Sequence, residues 1–235
     1  MADQNDPEVV RREYADEKGL AGRQSVWARR RGGRPLDVTF YQVVALRPRR
    51  VLEVGCGQGE FAERLRAHGL EVIAVDQSER MVELTRARGV DARVADIRQL
   101  PFAADEFDVA VANFMLYHVY DLHRGLAELA RVSPVLVATT NGERHLAEMW
   151  AVVDRDLWAR THLFFRENGE AYLRKHYEEV RMVDVPGTIS MTADDMRNYI
   201  AHSIAHKHLA ARVPSFAGST TVTASSCVFV AARSG

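Results

Sequence analysis

The sequence predicts an α/β fold with a parallel sheet and helices on both of its faces. Three observations carry this prediction. Short apolar runs alternate with helix-period segments from residue 37 to residue 141, Gly69 and Gly89 close two of those helices, and the first apolar run leads straight into a glycine-rich turn. Strands buried on both faces read as continuous apolar runs, and the helices that cross between them supply the cover. With 235 residues, 47% of them hydrophobic and 27% charged, the chain suits one domain of ordinary size with a full core.

The elements follow in order. Residues 1–35 are polar and charge-rich, and "ARRRGGRP" (Ala28 to Pro35) marks a break before the main fold. An amphipathic helix fits part of 8–30 through Val9, Tyr14, Leu20 and Trp27, and the run Arg29 to Arg31 reads as a solvated surface. A helix is predicted at 37–47, then a strand in "RRVLEVG". "GEFAERLRAHG" has helical spacing at Phe61, Ala62 and Leu65, and "EVIAVD" (71–76) is a second strand. "SERMVELTRARG" (78–89) is a helix with a serine cap, and "DARVAD" (91–96) a third strand. "FDVAVANF" (107–114), "LHRGLAELARV" (122–132) and "PVLVATTN" (134–141) read as strand, helix and strand.

Beyond residue 141 the rhythm loosens. Residues 143–178 read as mostly helical, with Leu146, Met149, Trp150, Val153, Leu157 and Trp158 on one stripe. "VRMVDVPG" (180–187) is a strand, 193–213 a helix started by Thr192 and stopped near Pro214, and "SSCVFVAAR" (225–233) a last strand approached across "PSFAGSTTVT" as in an antiparallel hairpin-like insertion.

Composition narrows the function classes. A net charge of −1 gives no electrostatic reason to expect a nucleic acid or an anionic membrane. The two cysteines, Cys56 and Cys227, have no metal-ligand spacing, so a reduced cytoplasmic setting is expected. The N-terminus lacks the apolar stretch of a signal peptide, and no apolar run is long enough to span a membrane.

The chemistry is concentrated in "VLEVGCGQGE" (Val51 to Glu60). Gly55, Gly57 and Gly59 form G-x-G-x-G, whereas a dinucleotide fingerprint needs G-x-G-x-x-G and would have its last glycine where Glu60 stands. A pyrophosphate on this turn would meet Glu53, two residues before the first glycine, and Glu60 behind the last. Carboxylates here suit a cationic ligand without phosphates, and S-adenosylmethionine, with its ammonium and sulfonium, is one. Asp76, about 20 residues after the turn, stands where an acidic residue commonly takes ribose hydroxyls, and Asp96 could accept from an adenine amino group. In an open α/β sheet the strand ends that carry these residues share one crevice.

"VLEVGCGQGEFAERL", "VIAVDQSERMVELTRARG", "ADIRQLPFAADEFDVAVANFMLYHVYD" and "LAELARV" resemble the class I S-adenosylmethionine-dependent methyltransferases, within them the small-molecule enzymes related to the ubiquinone and sterol methyltransferases. The resemblance covers residues 51–141. It implies a Rossmann-like sheet of seven strands, mostly parallel with the last antiparallel, helices on both faces and a small helical cap. It further implies that Glu53, Gly55, Cys56, Gly57 and Gly59 hold the methionine part and Asp76 with Gln77 the ribose. Asp96 and Ile97 would hold the adenine, and Asn113 and Phe114 would border the methyl group. S-adenosylhomocysteine would be the product. One departure is visible: such relatives carry a "PGG" turn before the fifth strand, where this chain has the shorter "ARVSPVLVATT".

Other readings stand beside these. Glu53 also fits an ion pair with Arg50, Asp76 a helix cap, Asp96 an ordinary loop carboxylate, and Cys56 a small buried filler. Tyr14 and Arg23 lie in a segment similar to the N-terminal lid of related enzymes, where an arginine fork would bind the methionine carboxylate; a surface helix fits equally. Methyl transfer from a sulfonium needs a nucleophile held in line, and a base only where the acceptor's proton is not easily lost. Tyr117, His118 and His145 are the base or orienting candidates. His202 and His206 have the i, i+4 spacing of a metal face but lack the accompanying glutamate, so no metal is expected. The expected organisation is one domain with a lid at 1–36 and acceptor-covering segments at 142–178 and 190–216, as a monomer or homodimer. The aromatic content of the cap suggests an apolar or aromatic small-molecule acceptor, and fits a packed core equally. A tRNA or rRNA methyltransferase, a NAD-dependent oxidoreductase and a cofactor-binding protein without transfer, such as a cyclase, are the competing readings.

Overall fold

Apolar alternation within each strand sets the layers of the main sheet. In β2 (Arg50–Val54), Leu52 and Val54 face one layer and Val51 the other; in β3 (Glu71–Asp76) Ile73 and Val75 alternate with Val72 and Ala74 in the same way. The computed structural model describes residues 8–10, 26–154, 164–203 and 206–233. Together with β4 (Asp91–Val94), β5 (Val109–Asn113), β6 (Val135–Asn141), β7 (Glu179–Val185) and β10 (Ser226–Ala232), these strands form a seven-stranded sheet in the order β4-β3-β2-β5-β6-β10-β7. β10 lies antiparallel between β6 and β7, and the pairings from β4 to β6 are parallel.

Helices cover both faces. On one side α1 (Pro35–Ala45), α2 (Glu60–Ala67) and α3 (Glu79–Ala87) bury Phe40, Val43, Phe61, Leu65 and Val82. On the other, α4 (Leu122–Val132) buries Leu122, Leu126 and Leu129. Local chemistry places the helix starts: Pro35 opens α1, the Ser78 hydroxyl accepts from the Met81 N–H, and the Asp121 carboxylate accepts from the Arg124 N–H. The shortened turn before β6 is closed by Ser133, whose hydroxyl donates to the Val135 carbonyl, and the strand starts at Val135.

The segments over the sheet differ from the sequence expectation. The small cap is built on a three-stranded antiparallel sheet of β1 (Arg30–Gly32), β8 (Gly187–Met191) and β9 (Thr220–Thr223) as well as on helices. The "ARRRGGRP" segment is therefore no simple break: Trp27–Arg29 make a 3-10 turn and Arg30 pairs with Ile189. Thr220–Thr223, within the predicted hairpin-like approach to the last strand, pairs with β8 rather than with the main sheet.

The helix expected over 193–213 ends early. Thr192 and Asp195 form a reciprocal capping box for α7 (Ala193–Ala201), and a separate 3-10 turn follows at Lys207–Arg212. Within 143–178, the described helices are α5 (Ala147–Val153) and α6 (Gly169–Leu173); Leu157 and Trp158 lie outside the described residues. Leu146, Met149, Trp150, Ile189, Met191, Met196, Ile200 and Val222 form a core separate from the two that flank the main sheet. Among the described residues, no helix is long and apolar enough to cross a membrane.

Candidate functional site

The order of strands reverses between β2 and β5, so the C-terminal ends of these two strands open a crevice between the loops that follow them. The turn after β2 is held in place by its neighbours. The N–H groups of Gly55 and Cys56 both donate to the Val75 carbonyl, Thr85 donates to the Gly57 carbonyl, and the Arg88 guanidinium donates to Gln58 at 2.7 Å. Gly55 (φ 72°) and Gly59 (φ 78°) adopt left-handed conformations, and a Cβ on them would lie 2.8 Å from Met115 and 2.6 Å from Thr85. Only glycine meets both demands without strain. Cys56 is buried with its sulfur 3.4 Å from the Thr85 hydroxyl. Burial, with the carboxylates of Glu53 and Asp76 nearby, raises its thiol well above the ordinary range, which makes it an inert filler.

Glu53 does not pair with Arg50, which binds Glu71 and Glu106 at the opposite end of the strand. Its side chain is 2% exposed, and Oε2 has no hydrogen-bond partner among the described residues. Burial first, and Asp76 second, push its carboxyl up to about 8, against a lowering pull from the Asn113 amide and the Ala62 N–H. Asn113 Oδ1 accepts from Thr139, while its Nδ2 is a second buried polar atom short of a full hydrogen bond. A buried acid with an unbonded oxygen stands beside a buried amide at the adjacent strand end, and both residues line the crevice.

The other strand ends complete the set. Asp76 accepts from the Gly57 N–H and the Ser78 N–H, both at 3.0 Å, so it supports the glycine turn and the next helix together. Burial raises its carboxyl pKa. Gln77 is exposed beside it, and Ile97 is buried. Asp96 is exposed and closed by a 2.6 Å ion pair with Arg98, which holds its carboxyl below the usual range. Phe114 is held at φ 53° with its N–H on the Thr139 carbonyl, an unusual conformation for a non-glycine residue at the crevice wall.

A cavity of about 780 Å³ joins these groups to the cap side. Glu53, the turn residues, Asp76, Gln77, Asp96, Ile97, Asn113 and Phe114 line it, and so do Tyr117, His118 and His145. Tyr14 and Arg23 lie outside the described residues. His145 is 2% exposed, stacks on Trp27 with ring centroids 5.4 Å apart, and places Nδ1 2.8 Å from the Ser225 carbonyl. A carbonyl only accepts, so Nδ1 carries a proton. Tyr117 and His118 contact each other edge to face at 4.5 Å.

The cavity also takes in Trp27, Arg30, Met115, Asn141 and Ser226, which sequence reading had not assigned to a site. Asn141 ends β6 as Asn113 ends β5, and the same strand-end argument could have found it. Trp27 and Arg30 carry no such signal. His202 and His206 do not form a shared helical face, because α7 ends at Ala201; His202 bonds the Asn198 carbonyl and His206 packs edge-on against Trp150. Among the described residues no group of three metal-ligating side chains occurs.

Comparison with known proteins follows this geometry. Residues 52–134 match the family described as Methyltransferase domain. A trans-aconitate 2-methyltransferase from Mycolicibacterium gilvum is 44% identical over 89 residues, 37% of this chain and 34% of that protein. A ubiquinone biosynthesis O-methyltransferase from Hahella chejuensis is 36% identical over 107 residues, 42% of this chain and 45% of the relative. The chain thus spans between a third and a half of the length of these curated relatives. Among solved structures, an S-adenosylmethionine-dependent methyltransferase from Thermotoga maritima, a possible histamine N-methyltransferase, shares the fold with a TM-score of 0.62 at 19% identity, over 95% of this chain and 99% of that one.

Proposed function

We propose that this chain is a class I S-adenosylmethionine-dependent methyltransferase, a reading supported by the match of residues 52–134 to a methyltransferase domain, and that it moves a methyl group to an O, N or C atom of an apolar or aromatic small molecule. The observation that carries the cofactor half of this reading is Glu53, a buried carboxyl with a free oxygen at the foot of a glycine turn. That donor set fits a cationic amino-acid group: Glu53 Oε2 accepts from the ammonium, and Asn113 Nδ2 faces the adjoining carboxylate or sulfur. Asp76 spends one lone pair on each backbone donor and keeps others for ribose hydroxyls. Ile97 offers an apolar wall for the base, and Asp96 reaches its amino group by opening from Arg98.

When bound, S-adenosylmethionine supplies a methyl group on a sulfonium that is already a good leaving group. The residues around it therefore serve mainly to position the acceptor and exclude water. Phe114 and Met115 wall the reacting side. His145 on the cavity wall serves as the base for the proton of a hydroxyl or N–H acceptor, and Tyr117 and His118, which line the same cavity, orient that acceptor. The relatives are named for different acceptors, one for transfer to oxygen and one for possible transfer to nitrogen, which is why the acceptor is read from this cavity and not from them.

Isothermal titration with S-adenosylmethionine and with NAD tests the cofactor half. S-adenosylmethionine is expected to bind and NAD is not, and Asp76→Ala is expected to weaken binding by at least tenfold, the scale of lost hydrogen bonds to a charged group. Binding of NAD alone, or unchanged binding in the variant, sinks the reading. A screen of candidate metabolites with labelled methyl donor addresses the acceptor.

A further inference from the structure

Of the run Arg29 to Arg31, the sequence reading made a solvated surface, and the middle residue departs from it. Arg29 pairs with Asp195 at 2.6 Å and Arg31 is exposed, but strand alternation in β1 turns Arg30 inward against the cavity. Its Nε donates to the Gly33 carbonyl at 2.6 Å and its Nη2 to the Val185 carbonyl at 2.9 Å. Both partners are neutral, and among the described residues no carboxylate lies within ion-pair distance of it. The other guanidinium groups on the cavity wall differ: Arg64 is paired with Asp37, Arg98 with Asp96, and Arg34 is exposed. A half-buried cation without a counter-ion is costly unless a ligand supplies one. Burial lowers its pKa, as that cost requires.

The sheet register places this charge relative to the reaction. Asn141, Ser226 and Val185 are direct neighbours across β6, β10 and β7, so the Val185 carbonyl that holds Arg30 is two strand spacings, ~10 Å, from Asn141. His145 is anchored next to that row through Ser225, and its ring stacks on Trp27, three residues before Arg30. Nε and Nη2 each meet one of these carbonyls, and Nη1 makes no hydrogen bond among the described residues, which leaves it for a carboxylate oxygen.

We propose that Arg30 is a specificity-determining residue that binds a carboxylate of the methyl acceptor, at the end of the molecule remote from the methylated atom. The acceptor is then an aromatic or apolar acid lying along the Asn141–Ser226–Val185 row, with its nucleophile near His145. This deepens the methyltransferase reading and rests on it.

The test uses the full chain saturated with S-adenosylhomocysteine, whose binding is titrated first. The probes are 4-hydroxycinnamate, with a carboxylate and a phenol at opposite ends, and its neutral amide. The acid is expected to bind at least tenfold more tightly than the amide, Arg30→Gln to bring the two within about twofold, and Arg30→Lys to restore part of the preference. Because the acid-to-amide ratio is taken within each variant, loss of packing that weakens both probes equally does not mimic the result. Equal binding of acid and amide, no binding of the acid, or a preference that survives Arg30→Gln overturns the proposal. Failure of S-adenosylhomocysteine to bind at the outset instead overturns the methyltransferase reading.

Discussion

Between Val51 and Asn113, the residues that reach the cavity stand at the ends of parallel strands, in the turns behind them or on α2, which follows the glycine turn. Across the cavity, Trp27, Arg30, His145 and Tyr199 are brought together from segments far apart in the chain. The two sides also have different cores: the strands and their helices share the packing of the main sheet, while the cap closes around Met149, Trp150, Ile189 and Met196. The contrast separates two tasks. On the function proposed above, a constant ligand is served by local backbone geometry, with glycines, a carboxyl and a helix cap in fixed sequence order, and the acceptor by a surface assembled through long-range pairing.

The largest expected effect falls on the cap side. If His145 serves the acceptor alone, His145→Gln is expected to lower turnover of a hydroxyl or N–H acceptor by about a hundredfold or more, the range of general-base catalysis. Affinity for S-adenosylmethionine should stay within about twofold, since His145 is held by the Ser225 carbonyl and the Trp27 ring on the cap side. Steady-state rates with the acceptor returned by the labelled-donor screen, set beside titration of the cofactor, separate the two quantities. A variant that loses cofactor affinity as strongly as turnover would merge the two sides that the fold keeps apart.

The cofactor side is expected to be sensitive to pH through Glu53. Its carboxyl, pushed up to about 8 in the folded protein, is protonated at neutral pH, whereas in the unfolded chain it ionises near 4.5. Between those values the unfolded state binds fewer protons, so the contribution of Glu53 to stability is full below the lower value and is lost as pH rises to about 8. Asp76, also raised by burial, acts in the same direction. A cationic ligand favours the ionised carboxylate. Affinity for S-adenosylmethionine should therefore climb about tenfold between pH 6.5 and pH 7.5 and level off above 8. Titrations in two buffers of different ionisation heat should register proton release. Glu53→Gln should flatten both the affinity profile and the slope of melting temperature against pH. A wild-type affinity independent of pH would mean that this carboxyl does not meet the cation.

The same contrast explains what sequence reading reached. Strand ends, glycine stops and the Ser78 cap are signals carried within a few residues, so β2 to β6 and the residues Glu53, Asp76, Asp96 and Asn113 were legible. The fold of the cap was not, because Arg30–Gly32 becomes a strand only by pairing with Gly187–Ile189, and Thr220–Thr223 only by pairing with the other edge of that strand. Neither segment has an apolar period of its own that would announce it. The helix read across 193–213 failed for a related reason. Its apolar positions are real, but Leu209 and Val213 reach the cap core from a 3-10 turn after the chain has left α7. His145 was legible as a polar residue just past a strand, while its tautomer and its stacking on Trp27 depend on Ser225 and on the N-terminal segment.

The smallest effect tests whether the two sides are also separate in stability. Ser78 caps α3 on the main sheet, and Thr192 caps α7 in the cap, each through a hydroxyl that accepts from a backbone N–H. Replacing either with alanine removes the same kind of bond, worth about 1 kcal/mol. Ser78→Ala should lower the melting temperature by about 2–4 °C, because α3 packs into the core of the main sheet. Thr192→Ala should instead speed amide exchange in Gly187–Met191 and Thr220–Thr223, with a smaller shift in melting, since that loss falls on the separate cluster. Asp195 loses the Thr192 hydroxyl in that variant but keeps the residue-192 backbone N–H and Arg29, so the effect should stay near the cap value rather than grow. If both variants shift melting equally and leave exchange in the cap unchanged, the cap and the sheet unfold as one unit. The division of labour between them would then be one of chemistry alone.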